Sequence, residues 1–413
     1  MAAIDLEKIK GLTQPIIDRI PKTARGNELH RRIGDLIENS DISLRVDLKE
    51  ILDSFLLNMI KIEASDIDFG GAGCSGKIWY RIFGNKNPLK MQGKLDLLQT
   101  DILLHNVVLP SQRLNLLENK NLDFSYSINI GRDRTQRFRA DMYFDLDHLG
   151  LNMRKIDNSI RPFKSLGVHA EVAKAVSLKY YKYGLTLITG ITGSGKSSTL
   201  DTIIDANNRT VDAHIVIIAS PVELIHEPIR CVVRHREVGS DVKSFKEGAI
   251  QALRQDPDII VIGELRDPET IMTALEITDS GHKTFGTLHT SSATESIERI
   301  LGEMSPEEQN RVRARLADVL TCVVSQKLVP SLDGKRTLAK EVLLANSSVR
   351  AAIRNNNVGE IYQMLMEGKE KGMNTMEQDL KRLFDEGKIS KESALNYANN
   401  KSKMVQLLSE VSY

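Results

Sequence analysis

The spacing of apolar residues gives the first part of the chain a helical start followed by a mixed region. Apolar side chains between residues 46 and 60 recur three and four positions apart, which predicts an amphipathic helix there. Residues 77–83 (KIWYRIF) and 138–144 (FRADMYF) are rich in branched and aromatic side chains, which is typical of strands. Residues 95–117 between them have a largely helical pattern with a break at Pro110. We therefore predict a small α+β domain in this part.

The pattern changes after residue 166, where short apolar runs alternate with helical stretches. Four of these runs have the length of strands: residues 185–189, 215–218, 259–262 and 284–288. Helices between consecutive apolar strands predict a mostly parallel sheet whose ligand binds at the carboxyl ends of the strands. The chain after residue 350 is polar and helical in pattern, which predicts a separate helical region.

The composition is that of a folded globular protein and excludes several functional classes. The 413 residues include 56 Lys and Arg against 55 Asp and Glu, so the formal net charge is +1. A protein that binds nucleic acid or anionic lipid usually carries a basic surplus, so we expect neither as a direct ligand. Cys74, Cys231 and Cys322 lie far apart, which excludes a disulfide framework and a four-cysteine zinc module.

The sequence contains no recognisable targeting or membrane segment. The N-terminal MAAIDLEKIKGL lacks the basic and apolar regions of a signal peptide. The longest apolar runs have the length of strands, whereas a membrane span needs about 20 apolar residues. We therefore expect a cytoplasmic protein that reaches a membrane only through a partner.

The segment GITGSGKS at residues 190–197 fits the phosphate-binding pattern G-x-x-x-x-G-K-[ST]. It follows an apolar strand (LTLIT) and precedes a helical stretch at residues 198–206, which is the required context. In such a loop the backbone N–H groups surround the phosphates, the lysine reaches the β- and γ-phosphates and the next hydroxyl holds Mg²⁺. The sequence therefore predicts a site for ATP and Mg²⁺. The candidate ligands are Gly190, Thr192, Gly193, Ser194, Gly195, Lys196, Ser197 and Ser198.

Two further motifs place a carboxylate and two imidazoles at strand ends. The strand in DIIVIGELRD ends near Glu264, which can orient a water for attack on the γ-phosphate or can simply pair with Arg266. His282 and His289 stand on either side of the strand in SGHKTFGTLHT. Each histidine can contact the γ-phosphate or have a structural role.

Taken in this order, these motifs resemble the secretion-type hexameric ATPases, and most closely the PilT family, which retracts type IV pili. The resemblance extends from about residue 61 to residue 400 and leaves residues 1–50 uncovered. Besides the phosphate loop it rests on the segments SDIDF (65–69), LDFSYS (122–127), PVELIHE (221–227), REVG (236–239), ALRQDPDIIVIGELRDPET (252–270), SQKLVP (325–330), AIR (352–354) and GMNTM (372–376).

The resemblance implies an α/β protein whose RecA-like phosphate-loop ATPase domain follows a small PAS-like α+β domain and precedes a helical C-terminal region. It also implies a homo-hexameric ring. We accordingly divide the chain into a helical extension at 1–50, a PAS-like domain at 51–160, an ATPase domain at 161–345 and a helical region at 346–413.

The same resemblance implies roles for individual residues. Glu264 would be the catalytic base, while His289 and His282 would link the γ-phosphate to domain motion. Arginines from the first domain of a neighbouring subunit would stabilise charge on the transferred phosphoryl group. The candidates, in order of preference, are Arg139, Arg154, Arg134 and Arg137.

Two departures from the family pattern bear on this chemistry. Where the family's acidic box reads E-D-P-x-E, this chain has Ala219 and Ser220 and keeps only Glu223. Ser197 and Glu223 are therefore the expected Mg²⁺ ligands. The family usually has a second arginine soon after the one matched by Arg139, whereas the corresponding segment here is acidic. We expect hydrolysis to survive both changes.

The sequence thus predicts a cytoplasmic motor whose ring uses ATP hydrolysis to remove pilin subunits through an inner-membrane platform protein. A pilus-extension, type II or type IVB secretion motor is an open alternative, and the missing four-cysteine element favours retraction over the first two. Asn355 replaces the glutamate of the family's A-I-R-E motif, which is linked to retraction. A nucleic-acid motor and a ring that binds ATP without hydrolysing it are further alternatives.

Overall fold

The computed structural model describes residues 5–89, 93–131, 134–156 and 159–409. The chain forms two compact units, Met1–Asn158 and Ser159–Tyr413. No helix in the described ranges is long and apolar enough to cross a membrane.

The described residues of the first unit form five helices and an antiparallel sheet. The helices are α1 (Leu6–Ile17), α2 (Gly26–Glu38), α3 (Ile42–Lys61), α4 (Leu97–His105) and α5 (Pro110–Asn119). The strands are β1 (Asp66–Gly70), β2 (Trp79–Ile82), β3 (Asn85–Pro88), β4 (Asn121–Asn129), β5 (Thr135–Asp145) and β6 (His148–Lys155). Their order is β3-β2-β1-β6-β5-β4, and every neighbouring pair is antiparallel.

The helices of the first unit and one face of its sheet share a single apolar core. The pattern at residues 46–60 belongs to α3, which buries six apolar side chains in this core. The helical pattern at residues 95–117 corresponds to α4 and α5, and Pro110 is the first residue of α5, where the missing N–H group is harmless. Ile9 of α1 and Ile33 of α2 are buried in the same core, so the N-terminal helices are an integral part of this unit.

The second unit contains a seven-stranded sheet with helices on both faces and a helical C-terminal end. Its strands are β7 (Gly184–Thr189), β8 (His214–Ala219), β9 (Val232–Glu237), β10 (Ile259–Ile262), β11 (Lys283–Leu288), β12 (Leu320–Pro330) and β13 (Arg336–Leu344). Its helices are α6 (Ala170–Ala175), α7 (Lys196–Thr210), α8 (Phe245–Ala252), α9 (Pro268–Asp279), α10 (Ala293–Gly302), α11 (Pro306–Val319), α12 (Ser347–Arg354), α13 (Ile361–Glu367), α14 (Met376–Asp385), α15 (Lys391–Tyr397) and α16 (Lys401–Ser409). Short 3-10 helices span Phe163–Leu166, Leu253–Gln255, Val358–Glu360 and Gly368–Lys371.

The sheet of the second unit is parallel except at one edge. Its order is β13-β12-β7-β11-β10-β8-β9, and only β12 and β13 pair antiparallel. All residues of β7, β10 and β11 are buried, and β10 is apolar throughout, whereas β7 and β11 also bury threonines and Lys283. The parallel sheet and the fold class expected from the sequence are confirmed, whereas the finer four-part division stays a prediction.

The C-terminal helices pack on the antiparallel hairpin of β12 and β13. Met376 and Leu380 of α14 share a core cluster with Val329 of β12 and Ala339 of β13. The helical end of the chain is therefore attached directly to the sheet that carries the phosphate loop.

Candidate nucleotide site

The phosphate-loop segment joins the carboxyl end of β7 to the start of α7. Gly190, Gly193 and Gly195 have φ angles of 150°, 79° and 88°, which glycine adopts far more readily than other residues. A side chain at Gly190 would also collide with Ser194 Oγ and with the backbone oxygen of Gln326. The loop therefore presents its backbone to a ligand at the N-terminus of α7, where the helix dipole favours an anion.

The side chain of Lys196 lies over this loop, where two carboxylates influence its charge. Its Nζ donates hydrogen bonds to the backbone oxygens of Gly190 at 2.7 Å and Ile191 at 3.3 Å. Burial lowers the pKa of Lys196, while the nearby carboxylates of Glu264 and Glu223 act in the opposite direction. The predicted lysine, base and metal ligand thus belong to one site.

The remaining loop candidates divide into exposed and buried groups. Thr192, Ser197 and Ser198 are exposed, whereas Ser194 is buried. The Nε2 of Gln326 donates to the backbone oxygen of Ser194 at 2.8 Å. A buried side chain of β12 therefore holds the backbone of the phosphate loop. We did not predict a role for Gln326, although it lies in the SQKLVP segment that contributed to the family resemblance.

Glu264 contacts Arg266, the ion-pair partner that the sequence suggested, and also His289, a contact that the sequence did not suggest. It lies just beyond the carboxyl end of β10, and His289 lies just beyond that of the neighbouring strand β11. Oε1 of Glu264 is 3.3 Å from Nε2 of His289, and Oε2 is 2.7 Å from Nε of Arg266. Burial and then the charge of Lys196 lower the pKa of His289, which favours the neutral imidazole near pH 7.

His282 lies away from the phosphate loop of its own chain, and its role stays a prediction. It precedes β11, so the six residues of that strand separate it from His289 by about 20 Å. Its Nδ1 lies 3.0 Å from Ser280 Oγ and 3.2 Å from the backbone oxygen of Ile277. The two histidines of the SGHKTFGTLHT segment therefore lie at opposite ends of β11.

Glu223 belongs to a segment that follows β8 and is fixed by a buried carboxylate. The backbone N–H of Val222 donates to Glu237 Oε2 at 2.9 Å, and Glu237 N donates to Asp241 Oδ2 at 2.8 Å. The described residues contain no group of three or more His, Cys, Asp or Glu that could hold a metal by themselves. Ser197 and Glu223 stay the predicted Mg²⁺ ligands, because Mg²⁺ commonly uses few protein ligands together with phosphates and waters.

Arg139 and Arg154 lie directly opposite one another on β5 and β6, on the polar face of the sheet in the first unit. Nε of Arg154 is 2.8 Å from Oδ1 of Asp66, and Arg81 is 3.6 Å from the other oxygen of this carboxylate. Nη2 of Arg139 is 3.6 Å from Asp123, and 45% of the Arg139 side chain is exposed. Arg139 thus has the longer ionic contact of the two.

The two weaker arginine candidates lie at the same end of β5. Arg134 is exposed and directly precedes this strand, and its backbone N–H donates to Gly131 O at 3.0 Å. Arg137 is half-buried and lies two residues before Arg139 in the strand, which places both on one face of the sheet. All four candidate arginines therefore lie on or directly beside β5 and β6 of the first unit.

The chain resembles known proteins over nearly its whole length. Residues 47–407 match the family described as Type II/IV secretion system protein. The chain belongs to this family. The type IV pilus retractation ATPase PilT of Pseudomonas aeruginosa is 38% identical over 296 residues, which are 72% of this chain and 84% of that protein.

Two further similarities extend the comparison. A twitching motility protein of Neisseria gonorrhoeae is 33% identical over 356 residues, which are 84% of this chain and 91% of that protein. The crystal structure of the pilus retraction motor PilT with bound ADP matches with a TM-score of 0.76 at 34% identity. That match covers 85% of this chain and 98% of the other.

Membership in the secretion family confirms the resemblance, the fold class and the enzyme class that the sequence predicted. As a member of this family, the protein is an ATPase with a nucleotide site. The family match begins at residue 47, so α1 and α2 lie outside it. The roles of the individual site residues stay predictions.

Proposed function

We propose that this secretion-family ATPase powers the retraction of a type IV pilus by driving the removal of pilin subunits. The observation that carries the proposal is its similarity, over most of both chains, to a pilus retraction ATPase and to a twitching motility protein. The phosphate loop and the Glu264 carboxylate lie at the same ends of the parallel strands, which supports ATP hydrolysis, because a phosphate-binding loop and a group that orients the attacking water recur in such sites.

In the proposed reaction the loop N–H groups and Lys196 bind the phosphates of ATP. Glu264 accepts the proton of the attacking water on a carboxylate oxygen, while Arg266 holds the carboxylate in place from the side. His289, 3.3 Å from Glu264, is the group that senses the γ-phosphate and passes its presence or loss to the adjoining loop. This gives Glu264 a catalytic role and Arg266 an orienting role.

Mg²⁺ bound at the proposed site would neutralise part of the phosphate charge. The Ser197 hydroxyl at the start of α7 and the Glu223 carboxylate would hold it. Ala219 and Ser220 offer no carboxylate, so the hydrogen bond from Val222 to Glu237 gains importance because it keeps the segment carrying Glu223 in place.

The proposed assembly is a homo-hexamer in which each site is completed by arginines from a neighbouring copy. Arg139 is the first candidate, since its side chain is half-exposed and its contact with Asp123 is long. Arg154 is the second candidate and would have to leave a closer contact with Asp66. Arginine supplied in this way stabilises negative charge on the transferred phosphoryl group.

The proposed location is the cytoplasmic face of the inner membrane, and the proposed partner is the pilus platform protein. No helix in the described part of the chain is long and apolar enough to span a bilayer. The near-zero net charge of +1 gives no surplus for direct binding to nucleic acid or to anionic lipid.

Substitution of the proposed base tests the chemistry directly. Glu264→Gln should bind ATP as the wild type does but lose about 100-fold or more in turnover, because the amide cannot accept the proton of water. Lys196→Ala should instead lose ATP binding, measured by calorimetry. Glu392→Gln, an exposed change in the first turn of α15, serves as the matched control and should hydrolyse ATP normally.

The biological direction of the motor is tested in the source organism. A strain that carries Glu264→Gln should display more surface pili than its parent and lose twitching motility, because pili extend without being retracted. A strain with fewer pili would indicate an extension motor, and unchanged pili together with a secretion defect would indicate an export motor.

A further inference from the structure

The loop that follows His289 is held from two sides. It connects β11 to α10, and within it Thr290 Oγ1 lies 2.7 Å from Ser296 Oγ of α10. Ser296 also lies 3.4 Å from Thr189 Oγ1, and Thr189 is 2.7 Å from Ser325 Oγ. This buried chain of hydroxyl groups ties the loop to the strand that leads into the phosphate loop.

On its other side the loop is bound to the C-terminal helices through Glu341. This glutamate of β13 is 2% exposed, and its Oε1 accepts a hydrogen bond from Ala293 N at 2.7 Å. Its Oε2 accepts one from Met376 N at 3.3 Å. Ala293 and Met376 are the first residues of α10 and α14, so one buried carboxylate joins two helix N-termini. The N-terminus of a helix attracts negative charge, which favours this arrangement.

A second contact comes from the connector between α15 and α16. Nδ2 of Asn399 donates to the backbone oxygen of Ser291 at 3.0 Å. Oδ1 of the same amide accepts a hydrogen bond from Nζ of Lys327 at 2.6 Å, and this lysine also donates to Tyr397 O at 2.8 Å. Lys327 of β12 therefore anchors the connector while Asn399 reaches the loop.

We propose that Asn399 and Glu341 are positioning residues that brace the His289 loop against the C-terminal helices. Neither touches the nucleotide loop, and both act by fixing the backbone that carries His289 beside Glu264. The loop is then supported on one side by the strand of the phosphate site and on the other by α14 and the α15–α16 connector. This inference rests on the proposed role of His289 in ATP hydrolysis.

Asn399 provides the cleaner test because its side chain is exposed and its loss leaves the core intact. Asn399→Ala should lower kcat roughly three- to ten-fold while the Kd for ATP changes less than about two-fold. Asn400→Ala is the matched control: the neighbouring exposed Asn400 side chain caps α16 through Lys403 N at 2.9 Å and is not part of the brace. The control should retain the wild-type kcat.

A double-mutant cycle separates positioning from general structural support. If Asn399 acts through His289, adding Asn399→Ala to a His289→Ala protein should change kcat less than about two-fold. Independent effects that multiply in the double mutant would overturn the proposal, as would an Asn399→Ala protein with wild-type kcat. A wild-type protein without ATPase activity would instead contradict the proposed function, so the two failures are distinguishable.

Glu341→Gln probes the buried half of the brace. The amide keeps the volume of the side chain but can accept a hydrogen bond at only one of the two helix N-termini. Its kcat should fall in the same range as that of Asn399→Ala, and the fall should also disappear in the His289→Ala background. A protein that melts at a lower temperature but has wild-type kcat when folded would assign Glu341 to stability alone.

Discussion

Gly190 occupies the position in the phosphate loop with the least room for a side chain. Its φ angle of 150° belongs to the region that glycine adopts readily, and a Cβ there would meet Ser194 and the backbone of Gln326. Gly334, in the turn between β12 and β13, also has a positive φ angle (77°) but has open space around it. A substitution at Gly334 would therefore cause backbone strain alone, whereas one at Gly190 would also cause a steric collision.

This difference predicts the effect of two matched alanine substitutions. Gly190→Ala should move the loop that surrounds the phosphates and weaken ATP binding about ten-fold or more, which corresponds to a strain of about 1.4 kcal/mol or more. Gly334→Ala should cost some stability and leave ATP binding unchanged. Calorimetry with ATP measures both, and equal affinities in the two variants would show that the loop tolerates a side chain.

Residue identities alone left two interpretations of Glu264 open, a catalytic base or a partner of Arg266. The structure shows contacts to Arg266 and to His289 through different carboxylate oxygens, so the two interpretations are compatible. No local pattern indicated this arrangement, because Glu264 and His289 meet only when β10 and β11 lie side by side.

At the scale of elements, continuous apolar runs were the most reliable signal. Residues 259–262 form β10 with the predicted bounds, and all four residues are both apolar and buried. We did not predict β9, whose sequence VVRHRE is mostly polar. It is an edge strand held by parallel pairing with β8, and no local sequence pattern reveals such pairing.

The junction of α2 and α4 contains a buried pair of histidines that links the N-terminal helices to the rest of the first unit. Nδ1 of His30 is 2.9 Å from Nε2 of His105, and Nε2 of His30 is 2.8 Å from the backbone oxygen of Asp147. Burial lowers the pKa of His30 from 6.5 and lowers that of His105 well below 6.5. Both imidazoles are therefore neutral in the folded protein near pH 7.

This pair predicts that the first unit loses stability as the pH falls below 6.5. The unfolded chain then binds protons that the folded chain excludes, so the free energy of unfolding falls by about 1.4 kcal/mol for each unit by which a pKa is lowered. His148 has the opposite sign, because its hydrogen bond to Asp101 raises its pKa. Its contribution is fully present below pH 6.5 and is lost at higher pH.

Urea unfolding followed by fluorescence measures this effect, because the single tryptophan, Trp79, lies in the first unit. The free energy of unfolding should fall between pH 6.5 and pH 5. In His105→Gln, whose amide can still donate a hydrogen bond to His30, the fall should be smaller by about 1 kcal/mol or more. Equal losses in both proteins would exclude His105 as a source of the pH dependence.

At the scale of the whole molecule, the proposed ring predicts that Arg139 acts on a site in another copy. Arg139→Ala should retain ATP binding but lose about ten-fold or more in kcat, because charge on the transferred phosphoryl group is no longer stabilised. Arg81→Ala is the matched control, since Arg81 lies on the same sheet and contacts Asp66. The control should hydrolyse ATP at nearly the wild-type rate.

Mixed rings test whether the arginine is supplied between copies. Arg139→Ala subunits keep Glu264, and Glu264→Gln subunits keep Arg139, so an equal mixture should hydrolyse ATP faster than either variant alone. A mixture that is no faster than the average of its components would place Arg139 within its own chain's chemistry or outside the reaction altogether.

The sequence by itself determined the phosphate loop, the buried parallel strands and the family, because each depends on local residue types or on motifs in a fixed order. Only the tertiary structure decided which distant residues share the site. The hydrogen bond from Gln326 to Ser194 joins positions 132 residues apart, and the hydrogen bond from Asn399 to Ser291 joins positions 108 residues apart. His282 and His289 are seven positions apart and lie at opposite ends of β11, because an extended strand carries them about 20 Å from each other.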